Sequence, residues 1–258
     1  MTEKILVIGD FCIDRFVYGS SKRINPEAPV PIFNPINVIE NLGMAGNVAE
    51  NLSSLGFSVD LLCNKNKIIK TRYVDIESNH MHLRVDENDS VDKKDSFKSI
   101  NKINFNEYLA VVITDHNKGF LSEEDIQNIS TKNKLVFLQT TKLIDTWAKS
   151  VKYIKLNMYE YLRSKDKIKE LNILNKLIIT DGSNGCYHNK IHYPIKNNIV
   201  TRDLSGAGDT FLSVFVESIL NNHDIETSIL EAQLAAIKIV QKRGVSKIGN
   251  KNGTIKFL

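Results

Sequence analysis

Cysteine is scarce in this chain. Its 258 residues hold three, Cys12, Cys63 and Cys186, far apart and odd in number. No CxxC pair occurs, so neither a zinc site nor a disulfide framework is encoded, and the thiols are expected to be reduced and partly buried. Hydrophobic runs are short. None approaches the length of a membrane span, and the run in "MTEKILVIGD" is too brief for the core of a secretory leader. Excess charge of one sign is lacking too. The 34 basic and 30 acidic residues leave a net +4, and the lysines are scattered. That balance makes no case for nucleic-acid or membrane binding. No internal repeat or low-complexity linker divides the chain. The rest is 42% hydrophobic and 25% charged, ordinary for a soluble globular protein with length enough for a real core. A cytoplasmic setting is expected.

Short apolar stretches punctuate the chain. "KILVI" at 4–8 ends in Gly9-Asp10 and reads as a strand buried on both faces, as in a parallel sheet. "VDLL", "AVVITD" at 110–115, "LVFL" at 135–138, "YIKL" at 153–156 and "LIIT" at 177–180 read likewise, and "CYHNKIHY" at 186–193 fits a hairpin. Between them fall helical patterns. "NVAENLSSLG" at 47–56 has a closing glycine, and "SEEDIQNI" at 122–129 starts on a Ser122 cap. The helix after Gly208 and a second at 226–244 are expected to end the chain. Strands alternating with helices give an α/β fold with a mostly parallel sheet. "VPIF" at 30–33 and the polar, alternating stretch 71–86 suggest a smaller exposed β element beside it.

The stretch "SGAGDTFLSVFVESIL" carries the chemistry. Apolar residues at 211, 212, 215, 216, 219 and 220 form a helical stripe, so the helix begins near Gly206. Its first N–H groups lack intrahelical partners, and the helix dipole places partial positive charge there. Gly206, Ala207 and Gly208 would let an anion approach that backbone closely. Asp209 would be kept ionised by the same dipole, yet it would repel the anion. A hydroxyl lying between the two resolves the conflict: Asp209 takes its proton while the helix terminus stabilises a transferring phosphoryl group. A glycine-rich turn with an acidic residue in a helix's first turn is the plainer alternative.

Elements elsewhere bear on that choice. "DLSGAGDTF" at 203–211 resembles the C-terminal signature of the ribokinase-like (PfkB) carbohydrate kinases, and "GMAGNVAENLSSLG" at 43–56 resembles their N-terminal one. "LNMYE" at 156–160 and "TDGSNG" at 180–185 are similar to two further elements, in the right order. "RINPEAPVPIF", "IIKTRY", "LRVDE" and "ITDHNKG" resemble the heptose 7-phosphate kinase branch, the kinase half of bacterial ADP-heptose synthases.

The resemblance implies a single ribokinase-like domain over 1–258. It would be a three-layer sandwich with a mostly parallel central sheet and a small β lid at about 11–37 and 71–86. It implies ATP and Mg²⁺ as cofactors and a sugar phosphate as substrate. Asp209 would be the catalytic base, with Gly206, Ala207 and Gly208 as the anion hole. Asp14, Gly43 and Asn47 would hold sugar hydroxyls, and Arg72 and Arg84 the substrate's phosphate, unless these arginines only dress a solvated strand face. Asn157 and Glu160 would organise Mg²⁺ through water, and Asn157, Thr180, Gly182 and Gly185 would lie beside the nucleotide. Asp203 would order the anion-hole loop, near a monovalent cation. Such relatives often dimerise through their lids, so a homodimer is a further implication.

The sequence departs from the pattern at four places. A glycine pair reads Gly43-Met44, and methionine lacks glycine's backbone freedom. The chain runs almost directly from "VDLLCN" to "KIIKTRY". The stretch between Glu160 and "LIIT" is short. Gln139 stands where relatives usually carry an aspartate. A shortened helix layer would expose sheet surface for a partner subunit. Other PfkB-type sugar or nucleoside kinases, or a non-catalytic sugar- or nucleotide-binding regulator, remain alternatives. A nucleotidyltransferase half would need an HxGH-type loop, which His80, His82, His116, His188, His192 and His223 do not form. His80 and His82 would share a strand face, read as surface polar residues rather than metal ligands.

Overall fold

The computed structural model describes residues 4–91, 100–195, 204–241 and 248–258. Alternation along β1 (Lys4–Gly9) shows how its layers are organised. Ile5 and Val7 point to one side, against α1 (Ala45–Ser54), α4 (Ala207–Leu220) and α5 (Ile225–Val240). Leu6 and Ile8 point to the other, into a core shared with α2 (Glu123–Lys132) and α3 (Met158–Leu171). A strand apolar at every position is therefore used on both faces. The result is a three-layer α/β sandwich.

β1 lies between β4 (Ser58–Cys63) and β7 (Ala110–Asp115), parallel to both. The parallel order continues from β7 through β8 (Val136–Thr140) and β9 (Tyr153–Asn157) to β10 (Leu177–Thr180). The antiparallel hairpin β11 (Cys186–His188) and β12 (Ile191–Tyr193) closes one edge. β13 (Thr254–Phe257) pairs in parallel with β4 and closes the other. The chain thus ends in a strand, and the expectation that two helices end it is corrected. "GTIKFL" is too short and too polar for periodicity to reveal it; only its neighbour β4 makes it a strand. α3 is a further helix that the apolar pattern did not announce. Asn157 caps it and Asn172 closes it in the left-handed conformation.

A second sheet of four strands stands apart: β2 (Phe11–Ile24), β3 (Pro31–Met44), β5 (Ile68–Asp75) and β6 (Met81–Glu87), in the order β3-β2-β5-β6. β2 and β3 run longer than "VPIF" suggested, and β5 begins directly after the turn that follows β4. Cys12, Cys63 and Cys186 are all free thiols. Among the described residues, no helix is long and apolar enough to cross a membrane.

The carboxyl ends of β1, β7, β8 and β9 gather at one rim, where open α/β sheets place their ligands. Asp10, fully buried just after β1, organises that rim. Its carboxylate accepts the backbone N–H groups of His116, Lys118 and Phe120, and its carbonyl accepts the N–H of Ala45 at the start of α1. Burial pushes this carboxyl up despite those donors. Asp10→Ala leaves buried donors unpaired and is expected to cost about 2–4 kcal/mol in urea unfolding; a loss under about 1 kcal/mol would contradict this role.

Candidate active site

α4 begins at Gly206, whose φ of 79° and ψ of −1° lie in the left-handed region that glycine adopts freely. No side chain caps the helix; in its first turn the Ala207 N–H turns back onto the Leu204 carbonyl at 3.3 Å, a bond an incoming anion would replace. At Gly208 a Cβ would stand 2.8 Å from the Lys155 ammonium, so a larger residue there would push that side chain aside. Asp209 occupies the first turn, half-buried, as its place after Gly208 predicts.

The Asp209 carboxylate is gripped from two other elements. Its Oδ2 accepts Asn47 Nδ2 at 2.9 Å, and its Oδ1 accepts Gln139 Nε2 at 3.0 Å. Asn47 is itself oriented. Asn51, one turn along α1, donates to Asn47 Oδ1 at 3.2 Å and to its carbonyl at 3.0 Å, and Asn51 Oδ1 accepts the N–H of Ile248. Every donor in this relay points towards Asp209, so the carboxylate plane is fixed while lone pairs remain for a hydroxyl. The sequence pointed to Asp209 and Asn47 as site residues. It did not point to Asn51, whose only signal was its i, i+4 spacing from Asn47.

Lys155 is the second residue that sequence reading missed. It sits in β9, paired with Gln139 of β8. It is 7% exposed, and burial pulls its ammonium below the usual lysine range, opposed by the charges of Asp209 and Glu160. No hydrogen bond or salt bridge to its ammonium is formed among the described residues. A lysine inside the buried strand "YIKLN" was a legible anomaly, since lysine is rarely buried unpaired. Here its ammonium is aimed at the first turn of α4.

The small sheet presents the other predicted contacts. By register, Asp14, Phe16, Arg72 and Arg84 share one face of β2, β5 and β6. Arg72 donates to Asp14 Oδ1 at 2.5 Å and stacks over the Phe16 ring. Arg84 forks onto Asp86 at 2.7 and 2.8 Å. Both guanidiniums are thus already engaged by carboxylates. Gly43 lies across from Cys12, and a Cβ there would meet Asp14 Oδ2 at 2.3 Å. Burial pushes the Cys12 thiol up to about 12, with the Asp14 and Asp209 charges adding to it, so it stays protonated. Met44 adopts φ 55° and ψ −125° at the start of α1, strained for any residue but glycine.

On the far side, Asn157 and Glu160 form a reciprocal cap of α3: Asn157 Oδ1 accepts the N–H of Glu160, and Glu160 Oε2 accepts that of Asn157. The element thus has a local folding reason. Thr180 ends β10 beside Asn157, while Gly182 (φ 52°) and Gly185 (φ 95°) shape the following turn. His82 lies in β6 and His80 just before it, their rings 5.5 Å apart. Among the described residues, no group of three His, Cys, Asp or Glu could hold a metal. Asp203 lies outside the described residues.

A family model described as pfkB family carbohydrate kinase matches residues 89–251. Bifunctional protein HldE of Campylobacter concisus (strain 13826) is 30% identical over 296 residues, taking in 93% of this chain and 61% of that protein. Its namesake from Aliarcobacter butzleri (strain RM4018) is 27% identical over 291 residues, with the same shares. The chain spans about three-fifths of the length of the curated relatives it matches. Phosphofructokinase-2 from Escherichia coli, in complex with potassium, superposes with a TM-score of 0.73 at 12% identity over 97% of this chain and 96% of that one. A nucleoside kinase of Methanocaldococcus jannaschii, an archaeal member of the ribokinase family, gives 0.67 at 18%, over 97% and 95%. At such identities the likeness is one of fold.

A buried, unpaired ammonium costs stability that function has to justify. Because its proton affinity is depressed in the folded state, that cost is full at low pH and fades as pH rises towards the ordinary lysine value. Lys155→Met is expected to gain about 1–2 kcal/mol near neutral pH, a gain that shrinks in alkali, while ATP turnover falls at least about tenfold. Thermal unfolding across pH and steady-state assays read both; a destabilised variant with full turnover would contradict the placement.

Proposed function

The chain belongs to the pfkB family of carbohydrate kinases, which are ATP-dependent, and on that premise we propose that it phosphorylates a sugar phosphate. The substrate we infer is D-glycero-D-manno-heptose 7-phosphate, converted to the 1,7-bisphosphate. The observation that carries the kinase reading is the meeting of three groups: the Asp209 carboxylate, the open first turn of α4 and the buried ammonium of Lys155. The sugar assignment is supported by "PEAPVP", "LRVDE" and "ITDHNKG", and by relatives named HldE at 27–30% identity.

In this reading Asp209 accepts the proton of the anomeric hydroxyl as that oxygen attacks the γ-phosphorus in line. Charge growing on the phosphoryl oxygens meets the N–H groups at Gly206, Ala207 and Gly208 and the ammonium of Lys155. Little covalent work falls to the protein; positioning and charge stabilisation do most of it. Asp14, Gly43 and Asn47 orient sugar hydroxyls. Arg72 and Arg84 reach the 7-phosphate by exchanging Asp14 and Asp86 for phosphate oxygens, which fit a guanidinium as well. Thr180, Gly182 and Gly185 border the nucleotide. The donor set suits magnesium: Glu160 Oε1 is not used by the α3 cap, and a hard cation held by one or two carboxylates keeps its waters. When bound, Mg²⁺ would neutralise the nucleotide's phosphate charge, with Glu160 and Asn157 holding it through water. A monovalent cation beside Asp203 belongs to the same reading, as does a cytoplasmic setting.

We also propose a homodimer through the small sheet. On the face opposite Arg72, the row Val38, Val17, Tyr73 and Leu83 crosses all four strands, with Val38 53% and Leu83 55% exposed. A second copy would cover this face. Leu83→Asp is expected to shift the sedimenting species from dimer to monomer; unchanged mass would remove the proposal.

The function is tested by ADP release with Mg-ATP and heptose 7-phosphate, fructose 6-phosphate, ribose, adenosine or no sugar. Asp209→Asn is expected to lose roughly 10²–10⁴ in kcat with ATP binding little changed. Turnover of another sugar would replace the substrate and keep the kinase. Full activity in Asp209→Asn would overturn the base, and ATP binding without turnover of any sugar would favour a binding role.

A further inference from the structure

Gln139 is the penultimate residue of the buried strand β8, with its side chain in the site, 8% exposed. Chemistry fixes which way its amide points. Only the NH₂ can face Asp209 Oδ1, because a carbonyl there would oppose a carboxylate. Its own oxygen, Oε1, is therefore turned the other way. That atom is buried and has no partner among the described residues. It lies on the Lys155 side, 4.0 Å from the point where a Cβ on Gly208 would stand, a point only 2.8 Å from Lys155 Nζ. The amide is thus a neutral spacer between the Asp209 carboxylate and the buried Lys155 ammonium.

We propose that Gln139 is a positioning residue for phosphoryl transfer. Its NH₂ holds the Asp209 carboxylate aimed, and its uncharged carbonyl leaves Lys155 free to meet the phosphoryl group. The inference rests on the reading of Asp209 as base. Two features separate Gln139 from a merely structural polar residue. Its donor hand is spent on the Asp209 carboxylate rather than on the backbone, and its buried acceptor hand has no partner among the described residues. Asn47 differs, since Asn51 saturates its oxygen. A glutamate at 139 would present a second negative charge to Asp209 and an ion-pair partner to Lys155, tying up both.

The groups facing Asp209 are few. Lys155 approaches from β9 and Cys12 from β2; the Asp14–Arg72 pair stands beyond Cys12, and Glu160 of α3 faces Lys155. Cys12 stays protonated and adds no charge, so the charges around Asp209 are those of Lys155, Glu160, Lys70 and the Asp14–Arg72 pair.

The test reads Asp209 directly, without sugar or nucleotide. Protein carrying ¹³C-carboxyl aspartate is titrated by NMR, the Asp209 signal being the one that Asp209→Asn removes. Gln139→Met keeps the shape and removes the donor, so the Asp209 midpoint is expected to rise by about 0.5–1 pH unit. Gln139→Glu is expected to raise it further, since neighbouring carboxylates share a proton, and to weaken ATP binding about tenfold or more by pairing Lys155. Midpoints within about 0.2 of wild type in both variants, with only the melting temperature lowered, would overturn the proposal and leave Gln139 a packing residue. If instead Asp209→Asn kept full turnover, the base assignment would fail whatever the titration gave, so the two failures are distinguishable.

Discussion

One carboxylate held by two carboxamides ties this molecule together. Asn47 reaches Asp209 across 162 residues of sequence and Gln139 across 70, so the grip exists only when α1, β8 and α4 are all in place. The sheet order supplies that arrangement. β8 lies beside β9, which sets Gln139 level with Lys155, and α1 and α4 share the apolar layer on the opposite face of β1. Asp10 links these parts, because it fixes both the loop after β7 and the first turn of α1. The chemistry at the rim is therefore a consequence of the fold's topology rather than of any one loop.

The pocket's charges are arranged for an anion that arrives late. Without ligand, the α4 terminus lacks a capping side chain and Lys155 is desolvated with no partner. Both are unfavourable alone, and both become favourable beside a phosphoryl group in a dry site. Amides serve better than carboxylates around Asp209 for the same reason. They fix the Asp209 carboxylate without adding negative charge, and they leave the ammonium unneutralised. Met44 extends the pattern, its backbone holding a conformation suited to glycine where β3 hands over to α1. The rim stores unfavourable terms that the packed layers beneath it offset.

Much of this was legible from residues alone. Continuous apolarity gave the parallel strands, Ser122 gave the start of α2, and the glycines before Asp209 gave the open helix terminus. The rest was hidden for physical reasons. β13 alternates polar and apolar residues over only four positions, too few to read alone, and it is a strand because β4 offers an edge. Gln139 looked only like a missing aspartate, because what it donates to lies on a distant helix. Arg72 and Arg84 were readable as phosphate ligands by type. The partner of Arg72, Asp14, depends on strand register across the small sheet, which composition does not encode, whereas Arg84 pairs with Asp86 two residues along its own strand.

Asn157 and Glu160 show how a motif can have two causes at once. Their spacing is that of a capping box, and the cap forms in full. Taken alone, that would reduce the pair to a folding device. The cap, however, uses only Oε2 of the glutamate, and it fixes the carboxylate at the end of β9, close enough for its charge to act on Lys155. A helix terminus fixed by its own first turn is a rigid place from which to offer an oxygen to a hydrated cation. On the proposed reading, the same bonds that start α3 hold Glu160 for the cation that accompanies the nucleotide. Folding and function here make the same demand on the same two side chains.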